Sequence, residues 1–71
     1  MGWSYQRLWH LLLDREMTKE ELRVAVGTSS ATIAKLGRGE NVSMDVLERI
    51  CKHLNCKLED VIEYLPDGED N

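Results

Sequence analysis

Apolar residues recur at helical spacing along most of this chain, with polar and charged residues at the positions between them. In the longest such stretch, residues three and four apart form one apolar stripe, which consists of Val46, Leu47, Ile50, Cys51 and Leu54. Ser43 stands before the stripe at a capping position, and Asn55 stands at its end. The pattern predicts an amphipathic helix whose stripe is broad enough for the centre of a small helical domain.

Two shorter amphipathic segments precede this helix. Thr18 and Glu21 have the spacing of a capping box, which marks the start of the first segment. Gly27 suits the left-handed conformation that ends a helix, and Ser29 is placed to cap the next one. The predicted inward faces hold Leu22, Ala25, Val26, Ile33 and Leu36. A short turn containing glycine, between steeply crossing helices, is the helix-turn-helix pattern, whose second helix can enter a DNA major groove.

The N-terminal segment predicts a further helix. Ser4 is placed to cap this helix, and Trp3 is placed to pack on Leu8 around the cap. The helix is expected to end near Arg15, with Leu8 and Leu12 turned inward. Three of the four aromatic residues fall within the first nine positions. This segment therefore either completes the core or contacts another chain.

The C-terminal segment predicts a short fifth helix. Its apolar residues recur at i, i+3, i+4 and i+7, and they are Leu58, Val61, Ile62 and Leu65. Pro66 is expected to end the helix because proline cannot continue one. The expected fold is thus all-α: a compact five-helix domain over residues 1–66, with the helix-turn-helix at its second and third helices, followed by a disordered acidic tail over residues 67–71.

The charge is distributed unevenly along the chain. The sequence has 9 Lys and Arg against 13 Asp and Glu, a formal net charge of −4 at pH 7. Residues 1–56 hold eight basic and seven acidic residues, whereas residues 57–71 hold one lysine and six acids. The main body is therefore almost neutral, which predicts only modest electrostatic attraction of a single chain to nucleic acid.

Catalytic and metal-binding chemistry is not indicated by the residues. Cys51, His53 and Cys56 lack the spacing of a zinc site and are expected to be free of metal. The chain is one small domain without a catalytic constellation or a glycine-rich phosphate loop. We therefore expect that the protein is not an enzyme and binds no cofactor or small-molecule substrate. The apolar run LWHLLL is too short for a membrane span or a signal peptide. We therefore expect a cytoplasmic protein without membrane contact.

The helix-turn-helix pattern and the stripe that follows it together resemble a known family, the lambda-repressor-like or Cro/repressor-type domains, also called XRE-type regulators. The resemblance spans about residues 5–65 and rests on the spacing of Leu22, Gly27, Ile33, Leu36, Gly39, Leu47, Ile50 and Leu54. It implies five helices, a third helix that recognises DNA, and homodimers that bind paired half-sites. Two positions depart from the pattern: Arg23 replaces a common small alanine, and Thr28 replaces a common apolar residue.

The resemblance also implies a set of DNA contacts on and around the third helix. The positions that match base-contacting residues are Ser30, Ala31 and Lys35. The positions expected to contact phosphates are Lys19, Ser29, Arg38 and Asn41. A lysine ammonium donates to guanine O6 or N7, a serine hydroxyl bonds either kind of base edge, and an alanine methyl packs on thymine. The alternative is that these are solvated surface residues.

Two functions from different classes remain open at this point. The first is a sequence-specific transcriptional regulator, a repressor that acts as a homodimer on double-stranded DNA. The second is a protein-interaction module, such as an antitoxin or an adaptor, with the same fold and weak or no DNA binding. The family resemblance favours the first, and the acidic balance favours the second.

Overall fold

The computed structural model describes residues 2–66, which form four α-helices and a two-stranded antiparallel sheet. In chain order the elements are β1 (Gly2–Ser4), α1 (Gln6–Asp14), α2 (Lys19–Val26), α3 (Ser30–Gly37), α4 (Met44–Leu54), a 3-10 turn (Leu58–Asp60) and β2 (Glu63–Leu65). The two strands bring the ends of the described chain together, with Trp3 opposite Tyr64. The helices lie between the strands in sequence.

The core is built from aliphatic side chains of every helix, together with Tyr5 before α1 and Val61 before β2. Its buried members are Tyr5, Leu8, Leu12, Leu22, Val26, Leu36, Leu47, Ile50, Leu54 and Val61. The predicted stripe of α4 is confirmed: Leu47, Ile50 and Leu54 are buried, while Val46 and Cys51 pack against them from the edge. Helix α4 also contacts α2 directly. It therefore supports the helix-turn-helix from below.

The predicted starts of three helices are confirmed. In α2, the Glu21 amide donates to the Thr18 hydroxyl over 3.0 Å, and the Thr18 amide donates to the Glu21 carboxylate over 2.8 Å. The Ser29 hydroxyl caps α3, and the Ser43 hydroxyl caps α4, each by accepting from an amide three residues later at 3.2 Å. These caps satisfy amide groups that the helix itself leaves without a partner.

The helices also share one way of ending. Each of the four helices in residues 2–66 is followed by one residue with a left-handed backbone, and the four are Glu16, Gly27, Gly39 and Asn55. After α2, the Gly27 amide donates to the Val24 carbonyl and the Thr28 amide donates to the Arg23 carbonyl. This pair of bonds is the Schellman motif. The predicted left-handed turn at Gly27 is thus confirmed, with φ at 70°.

The predicted cap of the first helix is confirmed only in part. Ser4 belongs to β1, where it lies opposite Glu63, and the capping position is Tyr5, whose side chain makes no cap bond. The Ser4 hydroxyl still accepts from the Gln6 amide, the first of α1, at 3.3 Å. Trp3 is also a strand residue, and its ring meets the Tyr64 ring edge-on with centroids 5.1 Å apart. Leu8 and Leu12 are buried as predicted. The segment before α1 is extended because it pairs with β2. Such a long-range pairing cannot be predicted from capping residues alone.

The predicted fifth helix is wrong, and with it the count of five helices. The mostly helical helix-turn-helix fold is confirmed, but residues 2–66 hold four α-helices and a small two-stranded sheet. The segment makes only one 3-10 turn, Leu58–Asp60, and then extends into β2. A helix this short is marginal on its own. Strand pairing with β1 satisfies the backbone instead, while Val61 is fully buried between the turn and the strand. The predicted acidic tail, residues 67–71, lies outside the described residues.

Candidate nucleic-acid interface

The outward face of α3 is lined by small side chains and one lysine. Leu36 is buried and Ile33 is half-buried on the inner side of this helix. The opposite side exposes Ser30, Ala31 and Lys35, the three predicted base-contacting residues. The structure therefore brings these three residues together on one accessible helical face, without bulky neighbours from α3 itself.

The Ser29 hydroxyl is already engaged at the start of α3. It accepts from the Thr32 amide at 3.2 Å and lies 3.1 Å from the Thr32 hydroxyl. Ser29 itself is exposed. The Ser29 hydroxyl therefore stabilises the first turn of α3. A hydrogen bond from Ser29 to a phosphate would have to come from this same hydroxyl.

The two lysines of the predicted interface have no ion-pair partner within residues 2–66. Lys35 is exposed in the last turn of α3. Lys19 begins α2, and its Nζ lies 4.4 Å from the centroid of the half-buried Trp9 ring. A ring face holds an ammonium without cancelling its charge. The two lysines lie at the two ends of the helix-turn-helix, and neither forms an ion pair within residues 2–66.

The two arginines of the same region are instead bound to carboxylates. Arg23 donates Nε and a terminal guanidinium nitrogen to Glu20, three residues earlier on α2. Arg38 donates Nε to Glu40 at 2.8 Å and a second nitrogen to the same carboxylate at 3.3 Å. These forks use the donors that an arginine offers to phosphate. The positive charge that remains on this surface is therefore that of Lys19 and Lys35.

The pKa values of the two acids follow from these pairs. The Arg23 hydrogen bond and charge lower the pKa of Glu20, and the Arg38 hydrogen bond and charge lower the pKa of Glu40. The Lys35 charge lowers the pKa of Glu40 further. Both carboxylates stay ionised at neutral pH, so both arginines stay occupied. Glu40 thus interacts with two of the residues predicted to contact DNA, Arg38 and Lys35.

The loop after α3 is held to the N-terminal segment. The Tyr5 hydroxyl donates to the Glu40 carbonyl at 2.8 Å, and the Tyr5 ring is buried. A Cβ on Gly39 would lie 3.3 Å from the Trp3 carbonyl oxygen, so the loop runs close to β1. Asn41 is exposed in this loop. The positions of Arg38 and Asn41 are therefore set by tertiary contacts rather than by α3 alone.

Sequence reasoning misplaced one residue near the interface and missed three side chains that contact its cations. The three missed partners are Glu20, Glu40 and Trp9. Ala25, predicted to face the core, is exposed because Leu22 and Val26 alone turn toward α4. The spacing of Glu20 and Arg23 is a recognisable helix pair, but the pairing of Glu40 with Arg38 follows loop geometry. The Trp9 ring that contacts Lys19 belongs to α1, so the sequence around Lys19 does not predict this contact.

The described residues offer no group of three or more metal-ligating side chains. Both cysteines are free and half-buried. In residues 2–66, no helix is long and apolar enough to cross a membrane.

A capped α2, a left-handed glycine turn and an open α3 face, supported by α4, define a helix-turn-helix DNA-binding domain. A family profile described as a Cro/C1-type HTH DNA-binding domain matches residues 7–67, which is most of the chain. The chain belongs to this family. The resemblance drawn from the sequence is thereby confirmed.

Two similar proteins are named as transcriptional regulators. The chain is 36% identical over 61 residues to the uncharacterized HTH-type transcriptional regulator YozG of Bacillus subtilis (strain 168), with 83% of this chain and 73% of that protein covered. It is 57% identical to transcriptional regulator VanUg, whose crystal structure superposes with a TM-score of 0.89 over 93% of this chain and 88% of that chain. Family and relatives together support a DNA-binding transcriptional regulator.

Proposed function

We propose that the protein is a sequence-specific transcriptional repressor that reads the major groove of double-stranded DNA with α3. The observation that carries the proposal is an open α3 face together with two lysines that form no ion pair within residues 2–66. Small side chains let the helix approach base edges closely, Lys35 offers those edges a donor, and Lys19 supplies attraction to phosphate. Because its partner is DNA, the protein is proposed to act in the cytoplasm.

Base reading is assigned to the exposed face of α3. The Lys35 ammonium donates to guanine O6 or N7, the Ser30 hydroxyl bonds a base edge, and the Ala31 methyl packs on a thymine methyl. These roles are supported by the exposure of all three residues on one face. Bases outside their reach would be read only through DNA shape.

Phosphate contacts are assigned to residues around α3. Lys19 sits at the N-terminus of α2, where its charge adds to the positive end of the helix dipole. Ser29, Arg38 and Asn41 flank α3 and contact the backbone on either side of the groove. Glu40 occupies the Nε side of the Arg38 guanidinium, so a phosphate has to use the remaining N–H groups or compete with this carboxylate.

The proposal is tested by a fluorescence polarisation titration of the protein on genomic fragments, repeated at several salt concentrations. A regulator binds one class of sites far more tightly than random DNA, and its affinity falls as salt rises. Absence of salt-dependent binding to any fragment would favour the alternative, a protein-interaction module with the same fold. The net charge of −4 is what keeps that alternative open.

The Arg38–Glu40 pair yields a prediction within this proposal. Glu40→Gln removes the anion that competes with phosphate for Arg38 and weakens the electrostatic hold on Lys35. Because the pair is exposed on both sides, we expect affinity for random DNA to rise only about two- to fivefold. The log-affinity versus log-salt slope should steepen by about 1, since Arg38 gains a phosphate contact.

The matched control for this test is Glu48→Gln, which makes the same change of net charge on the exposed surface of α4. Equal gains in both variants would mean that net charge matters and that the pair does not. An unchanged slope in Glu40→Gln would remove Arg38 from the set of phosphate contacts.

We further propose a two-fold homodimer built on the face that carries the sheet. Trp3, Met44, Leu58 and Tyr64 are all large and exposed on or beside this face, with exposed fractions between 42% and 68%. Three of its apolar residues, Trp3, Met44 and Leu58, line one groove of about 370 Å³. Within residues 2–66, each strand also has an edge without a neighbour, because the sheet described there consists of β1 and β2. Identical faces of this kind are suited to isologous contact.

Met44→Glu tests the dimer. The variant places a charge in the proposed interface, and we expect dimer affinity measured by sedimentation to fall at least about tenfold. Leu13→Glu is the control, because Leu13 is 76% exposed on α1 and does not line the groove. A wild-type protein that sediments as a monomer at high concentration, with and without DNA, would contradict the homodimer.

A further inference from the structure

The end of α4 brings the two cysteines of the chain together. Asn55 has a left-handed backbone with φ at 53°. The Asn55 amide donates to the Lys52 carbonyl at 3.3 Å, and the Cys56 amide donates to the Cys51 carbonyl at 3.1 Å. These are the two bonds of a Schellman motif. Cys51 and Cys56 therefore hold the two positions of that motif whose side chains characteristically contact each other.

The backbone bond between these residues limits their separation. With standard backbone dimensions, a hydrogen bond of 3.1 Å leaves the Cα atoms of Cys51 and Cys56 at most about 7 Å apart. Disulfides usually span about 4.4–6.8 Å between Cα atoms. Both side chains pack on the edge of the core and both are half-buried, so each keeps some access to solvent. The Cα separation is thus compatible with a bridge, and the Cys51 side chain lies close enough to hydrogen-bond the Cys56 thiol.

We propose that Cys51 and Cys56 are a reversible redox pair that forms an intramolecular disulfide with low-molecular-weight disulfides as oxidant. One thiolate attacks the oxidant, forms a mixed disulfide and releases one thiolate of the reagent. The second cysteine thiolate then attacks the sulfur of the first cysteine in this mixed disulfide, which forms the Cys51–Cys56 bond, breaks the bond to the reagent and releases the other reagent thiolate. The protein pair is oxidised by two electrons, the reagent is reduced by two, and two protons go to solvent.

The surroundings of the thiols set the speed of this reaction. Burial raises the pKa of the Cys56 thiol, and the neighbouring Cys51 raises it further by charge and by a hydrogen bond. Since the thiolate is the attacking form, the exchange is slow at neutral pH and accelerates as pH rises toward that pKa. The bridge would fix the exit of α4 against the segment that leads to β2.

The test is equilibration of the reduced full chain with glutathione buffers of increasing oxidised fraction, followed by alkylation of remaining thiols and intact-mass measurement. We expect the wild type to lose both free thiols without a glutathione adduct, and dithiothreitol to restore them. Because the second step is intramolecular, half conversion should need at least about tenfold less oxidised glutathione than adduct formation in Cys51→Ser or Cys56→Ser.

Three outcomes would overturn the proposal. They are glutathione adducts on the wild type at the same ratio as on the single variants, disulfides between chains in place of the internal bond, and full alkylation of both thiols after equilibration at raised pH. Circular dichroism of the oxidised and reduced forms should agree, because the bridge joins residues that are already neighbours. Loss of helix on oxidation would also contradict the proposed geometry.

Discussion

Replacing Gly27 with valine is expected to lower the free energy of unfolding by about 1–3 kcal/mol, because a β-branched residue resists the left-handed region. Gly27 has φ at 70°, and nothing lies within 4 Å of a Cβ built there. The cost is therefore one of backbone conformation and not of steric overlap with a neighbour. Urea denaturation followed by circular dichroism measures it.

The chain supplies two controls for this substitution. Gly37 lies in the last turn of α3 with ordinary helical backbone and open space around its Cβ position. Gly37→Val should therefore leave stability unchanged or raise it slightly, since glycine is a poor helix former. Gly27→Asn should cost less than Gly27→Val because asparagine tolerates the left-handed region. Equal stability of Gly27→Val and wild type would contradict the strained turn between α2 and α3.

Helix starts and stops in the middle of the chain could be predicted because their signals are local. Thr18, Ser29 and Ser43 each bond an amide three residues away, so both partners are visible in a few letters of sequence. Gly27 and Asn55 likewise mark ends through their own backbone preferences. Residues that act within one turn of helix are the ones that sequence reasoning places well.

The ends of the chain could not be predicted in the same way. Gly2–Ser4 pairs with Glu63–Leu65 across almost the whole sequence, and each strand has only three residues. So short a strand has no alternation to recognise. The apolar spacing around Val61 fits a helix equally well, and only the availability of β1 as a partner decides for a strand. Non-local pairing overrode the helical pattern.

The sequence predicted which residues of the candidate interface are exposed. It did not predict which of its cations are paired with carboxylates. The small residues of α3 are exposed as expected, since helical periodicity fixes which side faces out. Which cations can contact DNA depends on partners that the sequence does not single out. Arg38 is paired with the Glu40 carboxylate, whereas Lys19 lies over the uncharged Trp9 ring. The structure thus singles out Lys19 and Lys35 as the two positions whose loss should matter most for DNA binding.

Removing Lys35 is expected to damage recognition of the preferred site, whereas removing Lys19 is expected to weaken all DNA binding. If α3 lies in the major groove, the Lys35 ammonium reaches base edges. Lys35→Ala should then cost about 1–3 kcal/mol on the best site and much less on random DNA. The ratio of specific to random affinity narrows as a result. Polarisation titrations on the best site and on a shuffled duplex measure that ratio.

Lys19→Ala should behave differently because Lys19 is proposed to contact the DNA backbone and not the bases. Affinity should fall to a similar degree on both duplexes, and the magnitude of the log-affinity versus log-salt slope should drop by about 1 per chain, since one phosphate contact no longer releases its counterion. Lys52→Ala, an equal loss of charge on α4, is the control for net charge. If Lys35→Ala and Lys19→Ala weaken both duplexes alike, as Lys52→Ala does, then α3 does not read bases. The lysines would then act only through the overall field of the protein.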